Sequence, residues 1–315
     1  MRNFKYFIIL FSLVLVSSCN KVEVEEDNSY MLTDNYKLKE IKNEDYKVTE
    51  IDLASLNITN PKGLELVSDN FYITNSGQSS INVVDKNFEI NDSISIDAIV
   101  SPSLMTLDSD SKDMYVLDES TRMVNVVDPL NKTIKKSYNL PAKNTESRYI
   151  DLESYGDSIL LTSNTPISED AKILRIENDN GEVKEIGENF LGFVSIYEDE
   201  SFLINSLEYF INSTESGFKP GLPHMYKLEE DKIKEIGSMI DGSIPGDFLI
   251  DDDYYYVYTV ARSSIDRYDH SLKYVDTIAN FEYADIEAII KGDSSQIYLL
   301  MPNEGKLWEI SKKWN

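Results

Sequence analysis

Acidic side chains recur at spaced positions where a fold could bring them together. The ones best placed to share a site are Glu65, Asp151, Asp247, Asp285 and Glu287. Carboxylate oxygens bind hard cations such as Ca²⁺, and Zn²⁺ also accepts them. A cation held in this way can polarise a carbonyl group or activate water. We therefore expect at most one cofactor, a single divalent cation (calcium or zinc), with Glu65, Asp151, Asp285 and Glu287 as candidate ligands.

A second group of residues could contact a ligand directly. Lys62 and Arg148 could donate charge-assisted hydrogen bonds to an anion. The stretch 206–225 is an aromatic-rich insertion, and such loops often serve binding. A water-filled tunnel with a solvated rim, or an insertion packed on its own neighbours, would use the same residue types. The predicted ligand contacts are Lys62, Arg148, Tyr149, Asp247, Tyr209 and His224.

Several other kinds of chemistry are not supported. The chain has two histidines, His224 and His270, and one cysteine, which leaves no paired ligands for a transition-metal cluster. No Gly-x-Ser-x-Gly motif or phosphate-binding glycine loop is present. The formal net charge of −26 argues against a nucleic-acid partner, because phosphate binding needs a basic patch.

The elements that would position these residues repeat along the chain. An apolar pair opens a strand six times, and the second members of the pairs lie 43, 45, 43, 53 and 42 residues apart. A second strand ending in an apolar residue and an acid follows, and further strands flank both. Four strands in about 40–50 residues are typical of a β-propeller blade. The pairs are Phe71-Tyr72, Met114-Tyr115, Ile159-Leu160, Phe202-Leu203, Tyr255-Tyr256 and Ile297-Tyr298.

The two ends of the chain predict a closed ring. The sixth repeat stops at Asn315 with no room for a fourth strand, while Tyr46–Leu53 is a strand-like segment ahead of the first full repeat. We predict an all-β, six-bladed β-propeller over residues 46–315, closed by this N-terminal strand in the last blade. Closure removes unpaired strand edges. The alternative is a pair of β-sandwich domains.

The first repeat carries a family resemblance. Its segment Phe71–Asp85, FYITNSGQSSINVVD, resembles the YVTN repeat of bacterial surface propellers, and Asn60–Leu64 resembles the Pro-x-Gly-Leu opening of such blades. The resemblance implies a propeller of the YVTN and NHL neighbourhood. Six-bladed lactonases of related shape hold a divalent cation at the channel mouth, which implies a metal-dependent hydrolase as an alternative function.

The N-terminus indicates export and anchoring. Arg2 and Lys5 precede the apolar run Phe7–Val16, which is shorter than the roughly 20 residues of a membrane-spanning helix. Val16-Ser-Ser-Cys19 resembles the lipobox of bacterial lipoproteins, which implies a signal peptide over residues 1–18 and acylation, such as palmitate, at Cys19. Residues 19–45 are polar and acidic and are predicted to form a flexible tether.

Together these features predict an extracytoplasmic lipoprotein, facing the periplasm or the cell surface. Its propeller would act as a monomer and bind an envelope protein or a small molecule. Two alternatives stay open at this stage. One is the metal-dependent lactonase-type hydrolase, and the other is a non-catalytic scaffold in an envelope assembly.

Overall fold

The computed structural model describes residues 45–108, 110–141, 148–164, 172–188, 190–211, 216–239, 244–281, 285–293 and 296–313. These residues form six sheets of four antiparallel strands each. The signal peptide, Cys19 and the tether lie outside the described residues, so the boundaries assigned to them stay predictions. Within the described part, no helix is both long and apolar enough to span a membrane.

The first three blades follow the chain order, each from its innermost strand outward. Blade 1 contains β2 (Pro61–Val67), β3 (Asn70–Asn75), β4 (Ser80–Asp85) and β5 (Ile90–Ser95). Blade 2 contains β6 (Pro102–Leu107), β7 (Met114–Asp118), β8 (Met123–Asp128) and β9 (Thr133–Asn139). Blade 3 contains β10 (Arg148–Tyr155), β11 (Ser158–Asn164), β12 (Lys172–Glu177) and β13 (Val183–Glu188).

The last three blades repeat the arrangement. Blade 4 contains β14 (Phe193–Tyr197), β15 (Glu200–Ile211), β16 (Ser216–Glu229) and β17 (Lys232–Ser238). Blade 5 contains β18 (Pro245–Ile250), β19 (Tyr255–Thr259), β20 (Ser264–Tyr268) and β21 (Tyr274–Asn280). Blade 6 contains β22 (Ala288–Lys291), β23 (Ile297–Met301), β24 (Lys306–Lys312) and, outermost, β1 (Tyr46–Asp52).

The N-terminal strand closes the ring as predicted. β1 pairs with β24 from Tyr46 opposite Lys312 to Asp52 opposite Lys306. The innermost strands contact one another in the order β2, β6, β10, β14, β18, β22 and back to β2. The propeller prediction is therefore confirmed, and the two-sandwich alternative is wrong because the six sheets stand around one axis. Pairing along β24 also leaves that strand without an open edge.

A buried apolar cluster fills each of the six gaps between neighbouring blades. The residues of the repeated opening pairs supply much of it. Phe71 is fully buried, and its ring meets that of Tyr298 edge to face at 4.7 Å, joining blades 1 and 6. Apolar side chains on both faces of each sheet explain why the inner strands read as nearly continuous hydrophobic runs.

The ring has two distinct faces. All innermost strands begin at one of them, which we call the mouth face, and the turns after these strands lie at the opposite or far face. Since neighbouring strands in each blade are antiparallel, the connections between second and third strands return to the mouth face.

The insertion predicted in the fourth repeat is a long β-hairpin. Beyond an irregularity at Asn205 and Leu207, β15 and β16 stay paired from Leu207 opposite Pro220 to Ile211 opposite Ser216. The pairing of β16 with β17 ends at His224 opposite Ser238. The end of β15 from Leu207 and the start of β16 up to Pro220 therefore form a two-stranded ribbon that extends from the mouth face.

Candidate ligand site at the channel mouth

Four innermost strands bring carboxylates to the central channel. Glu65 lies on β2, Asp151 and Glu153 lie on β10, Asp247 lies on β18, and Glu287 immediately precedes β22. Glu287 lies at the rim and the other four lie deeper along the channel, yet all five residues keep part of their surface exposed. Partial exposure at this depth is what a channel that admits water produces.

Two of these carboxylates bridge neighbouring blades. Asp151 accepts the N–H of the next residue at 2.8 Å and that of Val194, on the inner strand of blade 4, at 2.6 Å. Asp247 accepts the N–H of its own next residue at 2.7 Å and that of Ile289, on the inner strand of blade 6, at 2.8 Å. We call this arrangement a carboxylate clasp. Each clasp satisfies two N–H groups near the channel and ties two blades together.

Glu65 makes a comparable connection from blade 1. It accepts hydrogen bonds from the backbone N–H groups of Leu66 and Leu107 and from the Thr106 hydroxyl, the last two being on blade 2. Thr106 Oγ1 also lies 3.4 Å from Glu153 Oε2 on blade 3. The three acids that clasp a neighbouring blade thus lie on blades 1, 3 and 5. Glu153 is linked to them through the Thr106 hydroxyl.

The environment keeps these acids from ionising easily. Burial raises the pKa of Glu65 to about 7 and that of Asp151 to about 7, against the pull of their N–H donors. Burial, and then repulsion from Asp151, raises the pKa of Asp247. The pKa of Glu153 is raised by burial and then by the charges of Asp151, Glu65 and Asp247. A group with this many negative neighbours is poised to hold a proton or to meet a cation.

Glu153 was not among the residues predicted from the sequence. A signal was available, because Asp151 and Glu153 are two apart on one strand and such residues point to the same face. Its Oε2 accepts only a long hydrogen bond from the Thr106 hydroxyl, at 3.4 Å, which leaves Glu153 able to accept from a ligand as well.

The rim of the mouth carries both signs of charge. Lys62 Nζ lies 2.9 Å from Glu119 Oε1 on the neighbouring blade. Burial raises the pKa of Glu287, while the charges of Lys62 and Arg148 lower it. Arg148 is exposed. Asp285 accepts a hydrogen bond from the side-chain amide of Asn303. Both predicted cations are thus at the mouth, but Lys62 already has a carboxylate partner.

The remaining predicted contacts are spread more widely. Tyr149 is half-buried against the core between blades 2 and 3, and burial raises its pKa. His224 lies at the base of the ribbon with Nδ1 3.0 Å from Glu235 Oε1. Tyr209 is in the ribbon, where its backbone is opposite Phe218. The structure therefore gathers the acids and two cations at the channel, and leaves the aromatic candidates around it.

The acids do not form a ready divalent-cation site. Among the described residues, no three His, Cys, Asp or Glu side chains are placed to hold one metal ion. Oxygens of Asp151 and Asp247 are already used by backbone N–H groups. Asp285 and Glu287 belong to the rim, whereas Glu65 and Asp151 lie deeper. The side chains present do not fit the calcium or zinc expected from the sequence, so we derive no metal-dependent step.

No protein-family model matches this chain, and no curated protein is significantly similar to it. Solved structures with the same fold do exist. Virginiamycin B lyase from Staphylococcus aureus aligns with a TM-score of 0.56 and 14% identity, over 84% of this chain and 99% of that one. A putative gluconolactonase aligns at 0.60 and 8%, over 84% and 92%. Regucalcin, a calcium-binding protein from Agrobacterium tumefaciens, aligns at 0.54 and 12%, over 81% and 90%. At these identities the likeness shows the fold alone.

Proposed function

We propose that this protein is a lipid-anchored, extracytoplasmic propeller that works as a monomer and binds a soluble ligand through a positively charged group at its channel mouth. The lipobox-like segment ending at Cys19 supports the anchor and the location. The fold is shared with propellers that are enzymes or binding proteins, which supports a role in binding.

One observation carries the choice of ligand charge. Glu153 is surrounded by the charges of Asp151, Glu65 and Asp247 in a buried setting that raises its pKa. A cationic group placed there would relieve the repulsion and replace the proton. An anion could meet the exposed Arg148, but it would compete with Glu119 for Lys62 and approach several carboxylates. The site therefore favours an ammonium or guanidinium group over a carboxylate or phosphate.

The proposal is tested with three small probes of matched size, namely butylammonium, butanol and butyrate. Only the cation should raise the melting temperature, because a ligand that binds the folded state alone stabilises it by mass action. The Glu153→Gln variant should lose this response. The Glu89→Gln variant, with the same chemical change at an exposed position after the third strand of blade 1, should keep it.

Two results would contradict this choice. Butyrate could stabilise the protein as much as butylammonium, or Glu153→Gln could respond like the parent protein. A chemical-shift titration with the same three probes provides a second readout that does not depend on unfolding.

Anchoring is tested separately. Incorporation of an alkyne fatty acid should label the parent protein and be lost in Cys19→Ser. Labelling that persists in Cys19→Ser would refute the anchor without affecting the ligand proposal.

The hydrolase alternative is less well supported. It depends on a divalent cation, for which the described side chains offer no preformed site. The scaffold alternative would be favoured if none of the probes bound.

A further inference from the structure

The direction of β1 fixes the face from which the N-terminal segment leaves the propeller. β22, β23, β24 and β1 are successively antiparallel, so β1 runs opposite to the innermost strand β22. Since β22 begins at the mouth face, β1 begins at the far face. The Lys313 N–H donates to the Asp45 carbonyl at 2.8 Å. Asp45 and Lys313, which flank β1 and β24, therefore both lie at the far face.

The candidate ligand site is at the other end of the ring axis. Lys62, Arg148 and Asp247 are all within three residues of the starts of their innermost strands, which is where the mouth face lies. The ribbon of β15 and β16 extends from the same face by about five paired residues, or roughly 16 Å. The mouth and the ribbon are therefore on the side away from Asp45.

We propose that the anchored propeller presents its channel mouth and the β15–β16 ribbon away from its own membrane. The ligand then arrives from the aqueous phase, and it is not a lipid drawn from the anchoring bilayer. This inference rests on the lipid anchor of the proposed function. It adds the direction of approach and the source of the ligand.

The length of the tether is compatible with this orientation. Cys19 and Asp45 are 26 positions apart, and the flexible tether predicted from the sequence would have a root-mean-square span of about 25–30 Å. With the far face toward the bilayer, the tether needs no further extension. With the mouth toward the bilayer, the tether would also have to pass the height of the ring, which is about 23 Å for a seven-residue strand.

The test uses the full-length, lipidated chain in vesicles and two single-site labels. Thr121→Cys is at the mouth end of β8 and Leu130→Cys is at its far end, where Leu130 is 90% exposed. The two positions share one blade and differ in height by about 20 Å. Cys19 is the only natural cysteine and is blocked by acylation in the proposed function. Each variant carries a donor dye, and the lipid headgroups carry the acceptor.

Energy transfer should be greater from Leu130→Cys than from Thr121→Cys, because the Leu130 label would lie about 20 Å closer to the bilayer. Equal transfer, or greater transfer from Thr121→Cys, would overturn the inference while leaving the anchor intact. A protein that fails to float with the vesicles would instead refute the anchor, and this inference with it. The same labels on Cys19→Ser, added to vesicles from outside, give the baseline without anchoring.

Discussion

Replacing Glu65 by glutamine should change how the stability of the propeller depends on pH. Burial raises the pKa of the Glu65 carboxyl in the folded state to about 7, from an ordinary value of 4.5. Since the folded pKa is the higher one, the folded protein binds the proton more tightly than the unfolded chain does. The free energy of unfolding should therefore fall as pH rises from about 4.5 to 7, and then level off.

The size of the effect follows from the shift. A difference of about 2.5 pKa units corresponds to roughly 3 kcal/mol at about 1.4 kcal/mol per unit. The side chain is only partly buried and reaches channel water, so we expect about 1–3 kcal/mol. Glutamine resembles the protonated acid and can still accept from Leu107. Glu65→Gln should thus be close to the parent protein in stability at pH 5 and more stable than it at pH 8 by about that amount.

Urea unfolding of both proteins at several pH values between 5 and 8 measures the difference directly. Glu89→Gln is the matched control, and its stability should follow that of the parent protein at every pH. The reasoning would be refuted if Glu65→Gln were equally destabilised at both ends of the range. It would also fail if the parent protein became more stable between pH 5 and 8.

Two further predictions concern the ring itself. Asp247→Ala should lower the free energy of unfolding by about 1–3 kcal/mol for each N–H left without an acceptor. Asp247→Asn should lower it less, because the asparagine can still accept from the Ile289 N–H. Urea unfolding compares the two variants, and equal losses of stability would argue against the clasp. Arg267 bonds Asp276 at 2.6 and 2.7 Å and lies over the rings of Tyr46 and Tyr254. Arg267→Ala should therefore loosen β1 and speed proteolysis near Tyr46, and an unchanged cleavage rate would contradict a role in closure.

The repeat architecture was predictable from the sequence because its signals are local. Alternating apolar residues and polar turns specify strands without knowledge of the rest of the chain. The short last repeat and the spare strand Tyr46–Leu53 then predicted closure, and β1 extends over Tyr46–Asp52 as expected. The length of the fourth repeat likewise predicted an insertion between its second and third strands, which is the ribbon of β15 and β16.

The site depended on features that no single repeat encodes. Glu153 entered the site unpredicted, because its place beside Asp151, Glu65 and Asp247 depends on contacts between three blades. The partners of Asp151 and Asp247 are backbone N–H groups 43 and 42 residues away, on the next blade. Such acids can bind a metal, keep a proton or accept hydrogen bonds from a neighbouring blade. Which of these occurs depends on the curvature of the ring, because curvature sets the distances between strands that are remote in sequence. The strands are a property of the local sequence, whereas the channel exists only once all six blades have closed around it.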